Sequence, residues 1–193
     1  YDPYLIDEYI DGKGKELLNK ATSSTYPAGP FFHMIIAAAE LEEYSALETA
    51  QAFGLYEEAV DLLSGQSKGN LSEFVEAMKM GNATLSQGPD LLMITPMQAA
   101  RMTRIIASEG WDSRLTVIRG TVEGIRGASL LPRPQGKQVF SAETVKTISE
   151  KAEEYQSSNW FSGYVPRQNP LYGITLFVEN ETPNERIATA MFQ

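Results

Sequence analysis

The 193-residue chain has no cysteine, a single histidine and no arginine before position 101. Without a thiol there is no disulfide framework, no thiolate metal site, no cysteine nucleophile and no thioether-linked cofactor. One imidazole, His33, excludes a multi-histidine metal centre within one chain. No apolar run approaches the roughly 18 residues of a membrane span, because the longest, Phe31 to Ala39, carries His33 and ends against Glu40, Glu42 and Glu43. The chain is therefore expected to be soluble, or peripheral to a membrane at most. It opens on Tyr1 rather than Met, and a preceding start or targeting segment is expected to have been removed.

What is present is enough to fold, with 42% hydrophobic and 21% charged residues. The net charge of −9 and a pI near 4.7 argue against nucleic acid as a partner, since phosphate backbones are held by clustered Lys and Arg. The charge is unevenly spread. Residues 1–96 hold 15 acids against 5 lysines, whereas residues 97–193 hold 10 acids against 11 bases. We therefore divide the chain into an acidic helical subdomain, 1–96, and an arginine-containing subdomain, 97–193. Arg101, Arg104, Arg114, Arg119, Arg126 and Arg133 form a block that either faces an acidic partner or makes local ion pairs. Asn70, Asn82 and Asn180 each begin a glycosylation acceptor triplet, too short a pattern to establish secretion.

Start and stop signals predict a mainly α protein. It should be a helical domain of about seven helices, near 3–20, 30–53, 55–64, 71–80, 96–109, 142–157 and 183–191, with at most one short two-stranded β element. Thr95-Pro96-Met97-Gln98 and Thr182-Pro183-Asn184-Glu185 read as capping boxes, Ser141 as an N-cap and Asn70 with Glu73 as a weaker one. Gly54, Gly65, Gly81 and Gly110 stand where left-handed caps are needed. Leu115 to Arg119 and Ile174 to Val178 are β-branched or aromatic, and are the two strands expected to pair.

No catalytic, cofactor or metal-binding residue emerges. His33 lies between Phe32 and Met34, is expected to be partly buried and hydrogen-bonded, and has no G-x-S-x-G turn to serve. The glycines of Gly120 to Gly127 are spaced wrongly for a dinucleotide loop, and Gly12-Lys-Gly-Lys15 is no phosphate loop. Glu57 with Asp61, and Glu150 with Glu154, are one turn apart but lack calcium-loop or Glu-x-x-His context. Arginines beside Trp111, and the aromatics Trp160, Phe161, Tyr164 and Tyr172, have instead the composition of a protein-binding surface. Arg101, Arg104, Trp111, Arg114, Arg119, Arg126, Arg133, Trp160 and Tyr164 are the expected partner-binding residues. The other use of these aromatics is to fill the core.

Gly120-Thr-Val-Glu-Gly124, the helical stretch Val145 to Tyr155, and Tyr172-Gly-Ile-Thr-Leu-Phe-Val-Glu-Asn180 ahead of Ala190-Met-Phe192 give the carboxyl-terminal half a likeness to a known family. It resembles the gamma-type linker proteins of red-algal phycobilisomes. That resemblance implies a chromophore-free structural linker in a hetero-oligomeric light-harvesting assembly with acidic phycobiliproteins, on the stromal side of the chloroplast thylakoid membrane. It implies no enzyme activity, and no bilin, because the attachment cysteine expected near Asn180-Glu-Thr182 is missing. The acidic total departs from the basic character of such linkers. The alternative is a soluble acidic helical domain that binds a ligand or acts as a carboxylate-based enzyme around a pocket near His33.

Overall fold

The central helix begins where proline can occupy a first turn whose N–H groups have no partner in any case. In a computed structural model, which describes residues 18–118, 120–122, 128–132, 135–151, 157 and 159–179, α1 (Lys20–Ser23) and strand β1 (Tyr26–Pro27) lead into it. This helix, α2 (Pro30–Glu42), starts after Gly29, whose φ of 52° suits glycine, and stops at Glu43 in the left-handed region. A single helix over 30–53 was expected. The chain instead breaks, because Ser45-Ala-Leu-Glu48 is itself a capping box that opens α3 (Ala46–Ala52). Ser45 Oγ accepts from the Glu48 N–H at 3.2 Å, and the Ser45 N–H donates to Glu48 Oε2 at 2.9 Å.

The helix expected over 55–64 is replaced by turns around the short strand β2 (Val60–Asp61). The cause is a competing side chain. Gln66 accepts from the Val60 N–H at 3.0 Å and donates to the Val60 and Leu63 carbonyls at 2.7 Å each, taking groups that a helix would use. Next come α4 (Leu71–Lys79), α5 (Gly88–Leu91) and β3 (Met93–Ile94), which pairs antiparallel with β1. Asn70 does not cap α4. Its side chain instead donates to the Leu91 carbonyl and accepts from the Met93 N–H at 2.7 Å, tying that helix start to β3.

The helix expected near 96–109 is α6 (Pro96–Ala107), and its capping box is complete. Thr95 Oγ1 accepts from the Gln98 N–H at 3.1 Å, while Gln98 Oε1 takes the Thr95 N–H at 2.9 Å. Gln98 is fully buried and turns its amide to the carbonyls of Leu55, Glu57 and Lys68, so one side chain both caps α6 and fixes the preceding loop. Replacing Thr95 by alanine should cost about 0.5–2 kcal/mol. Urea denaturation measures it, and an unchanged midpoint would remove the cap from the account.

The expectation of a mainly α protein fails. The fold is mixed α/β, with five two-stranded pairings among the described residues. After α6 come the short strands β4 (Trp111–Asp112), β5 (Leu115–Thr116), β6 (Gly120–Val122), β7 (Ala128–Leu130) and β8 (Lys137–Gln138), and α7 (Ala142–Glu150) is followed by a hairpin of β9 (Trp160–Val165) and β10 (Tyr172–Phe177). The two expected strands do not pair with each other: β5 lies parallel to β2, and β10 runs antiparallel to β9 with Tyr172 opposite Val165 and Phe177 opposite Trp160. Trp160, Phe161 and Tyr164, expected either to face a partner or to fill the core from an irregular stretch, instead belong to the regular strand β9, paired along its length with β10. The expected helices near 3–20 and 183–191, and the end of that near 142–157, fall largely on residues outside the described set.

The core gathers Phe31, Ile35, Phe53, Met102, Ile105, Phe140, Ile148 and Trp160. The hairpin lies on α6, where Ser162 Oγ contacts both Thr103 Oγ1 and, at 3.0 Å, Thr175 Oγ1. Tyr164 reaches α7 through Ser149 at 2.6 Å. The start of α7 is held by Ser141, which accepts from the Thr144 N–H at 3.1 Å, and by Glu42 of α2, which accepts from the Ser141 N–H at 2.6 Å. Burial alone would raise the Glu42 pKa, but the Ser141 N–H and the Thr144 and Ser141 hydroxyls outweigh it and hold the carboxyl below its ordinary value. Its contribution is therefore present above the ordinary carboxylate range and lost as pH falls through the lowered value. The stability gap between the native protein and Glu42→Gln should close on acidification below about pH 4. Melting curves of both from pH 7 to 3 show it, and a gap independent of pH would contradict this role.

Candidate functional site

The acidic and arginine-rich halves meet inside the molecule. Arg101 projects from α6 with its side chain 3% exposed, so burying its charge requires compensation. Asp112 on β4 supplies it by accepting from Nε at 3.1 Å and Nη2 at 2.5 Å, and Glu57 accepts from Nη2 at 2.9 Å. Burial alone would lower the Arg101 pKa, but the hydrogen bonds and charges of Asp112, then Glu57, raise it. Gly54 makes this site possible. At φ +78° it takes a turn that favours glycine, and a Cβ there would lie 2.3 Å from Arg101 Nη1.

Arg104 and Arg114 extend the network. Arg104 donates to the Ser113 side chain at 2.7 Å, to its carbonyl and to Asp112 at 3.4 Å. Burial, the largest influence, pushes its pKa down despite the Asp112 charge. Arg114 pairs with Asp61 at 2.8 Å and donates to the Glu58 carbonyl at 3.2 Å. Three arginines of the expected contact set thus hold β2, β4 and α6 together. Trp111 is half exposed, Tyr164 half-buried and Trp160 only 2% exposed. The Trp160 indole N–H donates to the Pro27 carbonyl at 2.8 Å, and its ring meets Phe31 edge-on at 5.2 Å and Phe177 at 4.7 Å. Arg119, Arg126 and Arg133 lie outside the described residues.

His33 is exposed, not partly buried as expected, although its neighbours Phe32 and Met34 are buried. Among the described residues no group of three His, Asp or Glu side chains is arranged to hold a metal ion. Local ion pairs were one of the two uses expected of the arginine block, but two of the acids were not legible as partners because Glu57 and Asp61 stand more than 40 positions from Arg101 and Arg114; only Asp112 lies close in sequence to Arg101 and Arg104.

Residues 31–151 match the family model of the penicillin binding protein transpeptidase domain. The chain belongs to that family. Penicillin-binding protein A from M. tuberculosis, solved as an imipenem acyl-enzyme complex, is similar in fold with a TM-score of 0.79 and 16% identity, covering 100% of this chain and 67% of that one. Apo penicillin-binding protein 3 from Mycobacterium tuberculosis gives 0.65 at 17% identity over 87% of this chain and 60% of the other. Pseudomonas aeruginosa PBP2, in complex with WCK 5153, gives 0.69 at 15% identity over 100% and 67%. At such identities these likenesses establish the fold, and the chain spans about 60% of the length of penicillin-binding protein 3. No curated protein matches the sequence.

Membership in the transpeptidase family overturns the phycobilisome resemblance and, with it, the light-harvesting function and the chloroplast location. The family is one of enzymes, so neither the expected non-catalytic linker nor the carboxylate-based alternative stands. The resemblance rested on a strand-rich carboxyl-terminal half whose Gly-Ile-Thr-Leu-Phe segment is β10 of this fold.

One departure from the family pattern is written in the sequence. Penicillin-binding proteins carry S-x-x-K, whose serine is the nucleophile, together with S-D-N and K-T-G. None of the three occurs in the 193 residues; the nearest approaches are Lys146-Thr147-Ile148 and Ser157-Ser158-Asn159. The helix that opens the matched stretch begins Pro30-Phe31-Phe32-His33. Its i and i+3 positions offer the saturated ring of Pro30 and the imidazole of His33 instead of a hydroxyl and an amine.

Proposed function

We propose that the protein acts in bacterial cell-wall synthesis, in the peptide cross-linking of peptidoglycan. The observation that carries this reading is the family match over residues 31–151, supported by a shared fold along the whole chain with penicillin-binding protein A. The absence of S-x-x-K limits the chemistry: an acyl step on this chain needs a hydroxyl outside that motif. Among the described contact residues Trp111 is the large apolar one left exposed, at 48%, and is the one we place against another protein of the same machinery.

Purified peptidoglycan sacculi test the substrate. The protein should be retained saturably and released by soluble peptidoglycan peptides. Retention no greater than that of an unrelated acidic protein of similar size would contradict the proposal.

A further inference from the structure

Helices α2, α3 and α4 line an apolar pocket of about 140 Å³ that is partly open to solvent. Its buried walls are Phe32 and Ile35 from α2, Ala50 from α3, Leu71 and Phe74 from α4, and Leu92. Phe32 and Phe74 meet edge to face with centroids 6.1 Å apart, fixing two of the walls. Gly88 backs Phe32 so closely that a Cβ there would lie 2.1 Å from its ring, so this wall cannot retreat into the cavity's far side. Leu47, Leu85 and the Lys79 stem form the rim and are exposed, which leaves an entrance.

Among the described residues no buried polar side chain faces the space, so water inside would lack the two to four partners it needs. A cavity of similar size lined by Leu, Ile and Phe stays dry and accepts benzene. We infer that this cavity is a binding site for a small apolar group of benzene size, such as an aromatic ring or a short branched alkyl group. The α4 helix presents one apolar side to it and a charged one, with Glu76 paired to Lys79 at 2.7 Å, to solvent. Entry is then through the exposed rim rather than through the core. This inference does not depend on the cell-wall reading.

Benzene is the probe. At ten times its dissociation constant it should raise the melting temperature of the native protein by about 3–6 °C. It should also shift the methyl NMR signals of Leu71 and Ile35. Val75 of α4 also lines the pocket, so Ala50→Leu fills it from the α3 wall and Val75→Phe from the α4 wall; whichever variant folds with native-like dispersion should lose the benzene response. A native protein whose melting temperature and methyl signals ignore benzene overturns the site. A response that persists in a folded, filled variant overturns its location.

Discussion

Replacing Arg101 by alanine should destabilise the protein by about 3–5 kcal/mol, the range found when one partner of a buried ion pair is removed. The loss comes less from the absent attraction than from what stays behind. Asp112, with its side chain 12% exposed, would keep a charge whose principal donor has gone, and Glu57 would lose its 2.9 Å contact. The combination Arg101→Ala with Asp112→Asn should therefore cost clearly less than the sum of the two single changes. Arg101→Lys keeps the charge but not the fork that serves Nε and Nη2 acceptors together, so it should fall between native and alanine. Urea denaturation of the native protein and the four variants measures all of this. Strict additivity would mean that the network contributes no coupling.

Trp160→Ala should cost a comparable amount, about 3–5 kcal/mol, because it empties a site 2% exposed and leaves the Pro27 carbonyl without its donor. Trp160→Phe should recover most of this, losing the hydrogen bond and part of the ring contact with Phe31 and Phe177. The comparison separates two roles for the residue. A tryptophan that served only as a partner anchor would leave stability unchanged in both variants, whereas a core tryptophan makes them differ sharply.

Much of the helical frame was legible in local chemistry. Thr95-Pro96-Met97-Gln98 and Ser141 announce helix starts through side-chain acceptors close in sequence, and both caps form as written. Gly54, Gly65, Gly81 and Gly110 all adopt positive φ. Signals that depend on distant partners were not legible. Val60 is held by Gln66 and paired with Leu115, and β9 depends on β10 for its register, so hydrophobic period alone read them as helix and irregular stretch. The partners of the arginine block were hidden for the same reason. Its clustering left two uses open, an acidic partner or local ion pairs, and in the fold Glu57, Asp61 and Asp112 pair with Arg101, Arg104 and Arg114. The family itself was hidden because the short motifs that would betray it, S-x-x-K, S-D-N and K-T-G, are absent while the fold that usually carries them remains.

The reading of this chain as a cell-wall protein is tested most directly in a bacterium that carries it, by digesting the peptidoglycan and measuring the fraction of cross-linked peptides with and without the gene. The account predicts that the cross-linked fraction falls when the protein is removed and returns when it is supplied again. A fraction that stays the same in both strains, under conditions where the protein is present in the native strain, would contradict it.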